Sequence, residues 1–363
     1  MKIPDTQKIL ELPPLPDDSR IAGNGASLLV VGAGGFIGGF IVNRAIELGY
    51  NTYAGVRAST SRRYISDKAS FVTLDYDDTD ALEKQLAQNA PGPHGWDYII
   101  WNLGATKCAN YHDFDRINHR YLRDFTAVLR KTGFIPRKLL FMSSLSALGT
   151  GDEKGYTPLD GNMMPNPCTR YGLSKIKAEM CLAQQPDIPW IIFRPTGVYG
   201  PHEKDYLMMV KSIDRHIDVS MGFTPQMLTF IYVDDLVQAM FQALAAPTEK
   251  VVHNKYILSE NAAYSQARFR KIVARHLGRR FVLPLRLPMW TVYIVSVVAE
   301  KLAAMQAKAS TLNRDKFRIM RQRNWCCDIA PAVRDFGFSP AWSLDRGIKA
   351  TVDAYLAAKT HKK

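Results

Sequence analysis

The chain has 363 residues, 47% of them hydrophobic and 22% charged, enough to bury one large core or two unequal ones and too apolar for a disordered or collagen-like polymer. Its formal charge of +13 is lopsided, because residues 251–363 hold 21 Lys and Arg against 7 Asp and Glu while the first 250 residues hold 26 against 27. Five cysteines without a Cys-x-x-Cys spacing exclude a small disulfide scaffold and point to a reducing compartment. No apolar stretch near the N-terminus has the length of a secretory signal, so synthesis and residence in the cytoplasm are expected.

A polar N-terminal extension over residues 1–25 precedes the first periodic segment. Ser27–Val31 is an apolar run that ends in a glycine cluster, and Phe36–Leu48 has helical spacing with a stop at Gly49, which predicts strand, tight turn and helix. Further strands are predicted at Asn51–Val56, Ser70–Leu74, Asp97–Trp101, Lys138–Met142 and Trp190–Phe193. Helices are predicted near Asp80–Gln88, Asp115–Lys131 and Tyr171–Gln184. Such alternation predicts an α/β protein with a doubly wound parallel sheet. Beyond residue 200 the alternation breaks down. We therefore expect a nucleotide-binding domain over 26–200 and a smaller C-terminal substrate-binding lid over 201–363, of which about 228–260 returns to the first domain.

Gly32, Gly35 and Gly38 fall between the first strand and helix, where glycines let a pyrophosphate approach the backbone and the helix N-terminus, at Phe36 and Ile37, offers free N–H groups. This Rossmann-type fingerprint implies a dinucleotide. The second strand ends at Arg57, with Arg62 and Arg63 close behind and no carboxylate. A guanidinium there suits a 2′-phosphate, so NADP is expected ahead of NAD, the competing reading being an ordinary solvated charge. Tyr171 and Lys175 share one helix face at i and i+4, where an ammonium can lower the pKa of a phenol. Ser144 follows the strand Lys138–Met142 at the carboxyl edge of the sheet, in place to polarise a carbonyl; alone, it would read as a turn or cap residue.

In this order the three elements resemble the extended short-chain dehydrogenase/reductase family, the NAD-dependent epimerase/dehydratase-like group. Leu74-Asp75-Tyr76, Asn102-Leu103-Gly104-Ala105, Asn118, Phe193 to Pro201 and Phe230 to Asp235 fall in register with it. The resemblance implies Tyr171 as general acid/base, Lys175 as its partner and ribose anchor, and Ser144 as carbonyl polariser. It further implies cofactor contacts from Asp75, Tyr76, Leu103, Gly104, Ala105, Asn118, Pro195, Thr196 and Gly197. Leu148 departs from the family's Tyr-Gly and removes a polar group near the substrate.

Leu145 and Ser146 replace the acid pair of the dehydratases, and Pro195-Thr196 with Arg57 lean away from NAD-retaining epimerases. The resemblance is therefore nearest to the 3β-hydroxysteroid dehydrogenase and dihydroflavonol reductase branch. It implies an oxidoreductase that reduces a ketone to an alcohol on a steroid-like or long-chain 3-keto lipid such as a 3-ketosphinganine. A sugar-nucleotide epimerase or reductase using NAD(P) is the alternative, and a catalytically idle dinucleotide sensor is a third. The apolar run from Phe281 to Ala304, preceded by the basic stretch from Arg268, is broken too often to span a bilayer. Peripheral membrane contact through 268–304, at the inner face of a membrane, competes with an ordinary buried lid helix. A homodimer is left open, no motif points to nucleic acid, and neither the histidines nor Cys326-Cys327 have metal-ligand spacing.

Overall fold

A strand covered on both faces needs apolar side chains without alternation, and the computed structural model places such runs at the centre of its main sheet. It describes residues 6–8, 17–203, 205–305, 310 and 312–360. In chain order, β1 (Thr6–Lys8) precedes β2 (Ser27–Val31), α1 (Phe36–Glu47), β3 (Asn51–Val56), β4 (Ser70–Thr73), α2 (Thr79–Asn89) and β5 (Tyr98–Trp101). Next come α3 (His112–Asp115), a π-helical turn at Arg116–Arg120, α4 (Tyr121–Thr132), β6 (Lys138–Met142), α5 (Arg170–Ala183) and β7 (Trp190–Pro195). All five residues of β2 and of β6 are buried. Even Lys138 is included, its ammonium donating to the carbonyls of Leu244 at 2.7 Å and Ala246 at 2.5 Å while burial pulls its pKa down to about 8.

The rest of the chain runs β8 (Gly197–Tyr199), α6 (Asp205–Asp214), β9 (Ile217–Met221), β10 (Met227–Tyr232), α7 (Val233–Ala245), α8 (Thr248–Val251) and β11 (Lys255–Leu258). It closes with β12 (Ala262–Ser265), α9 (Gln266–His276), β13 (Leu283–Leu287), α10 (Met289–Met305), α11 (Arg314–Arg321), α12 (Ala330–Phe336) and α13 (Leu344–Thr360).

The main sheet is parallel with strand order β11-β7-β6-β5-β2-β3-β4. Strand order reverses between β2 and β5, and in such sheets ligands bind outside the carboxyl ends of the strands at the reversal. The expected doubly wound sheet is present. Lys255–Leu258 returns as its edge strand, and α7 packs on α1. A second sheet, β1-β12-β10-β8, and the two-stranded β13-β9 stand outside it. The helix expected over Asp115–Lys131 is interrupted by the π-helical turn, which holds Asn118 fully buried. Among the described residues no helix is long and apolar enough to cross a membrane.

Candidate active site

At the reversal, β2 leads into Gly32, whose φ of 83° and whose hypothetical Cβ, 2.7 Å from the Leu103 nitrogen, both exclude a side chain. The glycine turn and the loop after β5 therefore touch main chain to main chain. A Cβ on Gly38 would lie 2.3 Å from the Gly32 carbonyl oxygen, so a side chain there would push α1 off the turn. Gly35 is the N-cap of α1 without a side-chain cap, and the first turn of that helix holds no acid. The N–H groups of Phe36 and Ile37 in this first turn have no intrahelical acceptor and suit an anion.

Around this turn opens a cleft of about 340 Å³ lined by, among others, Gly32, Gly35, Arg57, Tyr76, Leu103 and Gly104. Arg57 is exposed and makes no ion pair among the described residues. The Tyr76 hydroxyl is buried without a hydrogen-bond partner, its pKa is raised by burial, and its ring stacks on Tyr121 at 5.5 Å. A backbone cradle, an uncapped helix start, a free guanidinium and an orphaned hydroxyl fit a dinucleotide. Asp75 stands outside the lining, its Oδ1 accepting the Asp77 N–H at 3.0 Å. Ser59, Thr60 and Ser61 do line it and were missed by sequence reasoning; hydroxyls clustered just after Arg57 were the available signal.

Ser144 leaves β6 as the N-cap of a short turn, its Oγ accepting the Ser146 N–H at 3.2 Å, and its hydroxyl lies beside Tyr171. Burial raises the Tyr171 phenol above its ordinary pKa, and the neighbouring Ser144 only partly offsets this. Here the structure differs from the sequence expectation. Lys175 donates to the Met142 carbonyl at 2.8 Å, its own pKa is pulled down to about 8 by burial, and it does not contribute to acidifying Tyr171. In this conformation the phenol is a protonated acid.

Gly104 lies over this cation, for a Cβ there would come 2.9 Å from the Lys175 Nζ. Asn118 holds the same loop from below: its Oδ1 accepts the Ala105 N–H at 2.7 Å, and its Nδ2 donates to the Ala105 carbonyl at 3.0 Å and to Ser174 at 2.9 Å. Its polar atoms are thereby committed to protein, which makes Asn118 a positioning residue rather than the cofactor contact expected of it. Thr196 is turned into the protein as well. Its hydroxyl is buried against the Thr229 carbonyl at 2.9 Å, tying the end of β7 to β10. Pro195 is paired with Leu258 at the end of β7, and Gly197 begins β8 facing the Tyr206 hydroxyl; none of the three lines the glycine cleft.

Sequence reasoning also missed the supports beneath the trio. Glu179 and Arg194, 0% and 1% exposed, form a bidentate pair at 3.0 and 2.5 Å, and Ser143 donates to the same carboxylate at 2.5 Å. This fixes α5 to β7 directly behind Ser144. From the C-terminal part of the chain, Asp315 accepts the Arg170 N–H at 2.9 Å and the Tyr171 N–H at 3.3 Å, capping the helix that presents the phenol. Asp205 bridges Lys107 and Lys316 and holds α11 to the loop after β5.

A second cleft, of about 470 Å³, opens beside α11. Trp290, Tyr293 and Phe317 give it an aromatic wall, and Lys154, Arg321 and Arg323 give it three cations against the single acid Glu153.

A dinucleotide cradle opposite a Ser, Tyr and Lys trio at the carboxyl edge of a doubly wound sheet defines an NAD(P)-dependent enzyme of the extended short-chain dehydrogenase/reductase type. The profile of the NAD dependent epimerase/dehydratase family matches residues 28–258, and the chain belongs to that family. A putative UDP-glucose 4-epimerase of Methanocaldococcus jannaschii is 28% identical over 233 residues, 60% of this chain and 73% of that one. The UDP-glucose 4-epimerase of Vibrio cholerae is 25% identical over 61% of this chain, which spans only 64% of its length. Among solved structures, the UDP-glucose 4-epimerase of Thermotoga maritima with UDP-glucose superposes with a TM-score of 0.72 at 19% identity, covering 92% of this chain and 99% of that one; this likeness concerns the fold.

Proposed function

We propose that the protein carries out NAD(P)-dependent redox chemistry at a carbinol carbon of a nucleotide-activated sugar, with epimerisation as the favoured outcome. The observation that bears most weight is the second cleft, where an aromatic wall beside Lys154, Arg321 and Arg323 suits a base and a diphosphate better than a steroid or an acyl chain. Similarity to UDP-glucose 4-epimerases supports the same reading. Similarity to a 2-alkyl-3-oxoalkanoate reductase of Shewanella oneidensis, 25% identical over 88% of this chain, supports the lipophilic-ketone reading, but the cationic lining of the second cleft does not.

When bound, the nicotinamide supplies or takes up hydride. Ser144 donates its O–H to the substrate oxygen, and Tyr171 exchanges a proton with that oxygen at its Oη. To accept a proton Tyr171 must first become phenolate, which burial opposes. Lys175, one helical turn away, is the cation available to stabilise it, on exchanging its single bond to Met142 for one nearer the phenol. Asn118 and Asp315 position the loop and helix between which this occurs. Arg57 is proposed to take a 2′-phosphate, which favours NADP.

The test is incubation of the full chain with NAD or NADP and a panel of UDP-sugars, followed by NMR of the sugar ring, beside a parallel panel of steroid and 3-keto-acyl substrates. Conversion of a UDP-sugar, with the KM raised by Arg321→Ala at nearly constant kcat, is expected. Oxidation of NADPH by a lipophilic ketone with every nucleotide sugar inert would overturn the proposal.

A further inference from the structure

β9 and β13 pair in parallel with Ile217 opposite Leu283, Val219 opposite Leu285 and Met221 opposite Leu287. Cross-strand partners share a face of a sheet, so these six apolar side chains form one surface. No layer covers it: Ile217, Val219, Leu283 and Leu285 are between 41% and 50% exposed. The surface continues onto α10 through the contact of Gly222 with Met289, where a Cβ on the glycine would lie 3.3 Å from the methionine sulfur. Along α10, Ile294, Val298 and Leu302 recur every fourth residue and are 51%, 50% and 56% exposed. The opposite side of the helix is buried at Val292 and Ser296. Two separate elements thus turn apolar faces outward, contrary to the buried lid helix that competed in the sequence.

The charge around this face has one sign. Arg215 and Arg280 stand just before the two strands and Lys301 lies near the end of α10; all three are exposed and unpaired among the described residues, while Arg286 alternates to the other face of β13. The acids of the region are consumed internally. Asp214 is held by Arg279 at 2.7 Å and Lys359 at 2.8 Å, Asp218 by Arg270 at 3.1 Å, and Glu300 by Arg314 at 2.8 Å. We propose that the β9–β13 face and the outer stripe of α10 dock on an anionic lipid bilayer, with the apolar side chains in the interface and Arg215, Arg280 and Lys301 among the headgroups. A second copy of the chain fits the face less well, because a two-fold contact would oppose cation to cation with no free carboxylate between them. α10 lies in the plane of the interface, consistent with its being too short and interrupted to span. The proposal is independent of the substrate.

Flotation of the full chain with vesicles of phosphatidylcholine alone, or with about one-third phosphatidylglycerol, tests it. Binding to the anionic vesicles only is expected, weakening as salt is raised. Ile294→Ser with Val298→Ser on α10, and separately Leu283→Ser with Leu285→Ser on the strands, should each lower partition roughly tenfold or more. Arg280→Ser should lower it roughly fivefold. All of these positions are exposed, and an unchanged thermal melt certifies the fold; two pairs on different elements guard against one variant failing to fold. The proposal is overturned by absence of binding to anionic vesicles, by binding that neither pair weakens, or by a dimer in sedimentation velocity that either pair disperses, which would assign the face to a second copy.

Discussion

The cleft at the strand reversal is walled largely by main chain and glycine, whereas the cleft beside α11 is walled by long side chains drawn from three segments between Glu153 and Arg323. The first needs close backbone approach, which only a few residue types permit at fixed spacing, so its chemistry is written locally. The second needs bulk and charge at points that the fold brings together late. The catalytic trio lies on β6 and α5, and its supports reach both ways: Asn118 to the loop of the first cleft, Asp315 from the helix that lines the second.

The sharpest way to break this division is at the trio. Tyr171→Phe removes the proton donor and leaves the glycine turn untouched, so turnover should fall about 10²- to 10⁴-fold while cofactor affinity measured by fluorescence titration stays within error. A near wild-type rate would move the proton to another group. The next largest effect concerns stability. Arg194→Leu leaves Glu179 buried with only Ser143 for a partner, and loss of one member of a buried pair costs about 3–5 kcal/mol, visible as a lowered urea midpoint. Replacing both Glu179 and Arg194 with leucine should restore much of the loss, because the apolar pair no longer buries a lone charge.

How much of this was legible follows from the same contrast. Gly32, Gly35 and Gly38, the Tyr-x-x-x-Lys spacing and Ser144 at a strand end could be read because each constraint is local: a positive φ, a helical turn, the end of a strand. Alternation implied a parallel, doubly wound sheet; its strand order, with Lys255–Leu258 at one edge, was written in no local pattern. Asn118 was found by register, as a support of the active site and as a cofactor contact, and its bonds could not be read because its partners, Ala105 and Ser174, lie 13 and 56 positions away. Glu179 with Arg194, and Asp315 above α5, gave no signal, since an isolated charge in a sequence reads as solvated until its partner is placed. The exposure of α10 was likewise invisible, for its hydrophobicity is the same whether it faces core or solvent.

Lys175 offers a prediction in pH. Burial pulls its pKa from 10.5 to about 8, so in the native state it gives up its proton more readily than in the unfolded chain. The contribution of Lys175 to stability should therefore rise with pH between about 8 and 10.5, where the unfolded chain binds the extra proton at this residue. Below this window the buried charge is a constant cost to the fold. Lys175→Met removes that cost, so its stability relative to wild type should be greatest near neutral pH and shrink as pH rises through the window in paired urea melts. A difference that does not change with pH would show that the ammonium is solvated in the native protein.

The smallest expected effect tests whether the first cleft, walled largely by main chain and glycine, owes its cofactor preference to one side chain. Arg57 stands at its rim with a free guanidinium, and a phosphate contact of that exposed kind contributes about 1.5–3 kcal/mol at most. Arg57→Asp exchanges the cation for a carboxylate that suits a ribose diol and repels a phosphate. The ratio of NADP to NAD affinity should fall by roughly ten- to a hundredfold, mainly through weaker NADP binding, with the rate at saturating cofactor unchanged because Tyr171 and Ser144 are not disturbed. An unchanged ratio would mean that Arg57 is a solvated charge and that Ser59, Thr60 and Ser61, the hydroxyls beside it in the lining, decide the adenosine end instead.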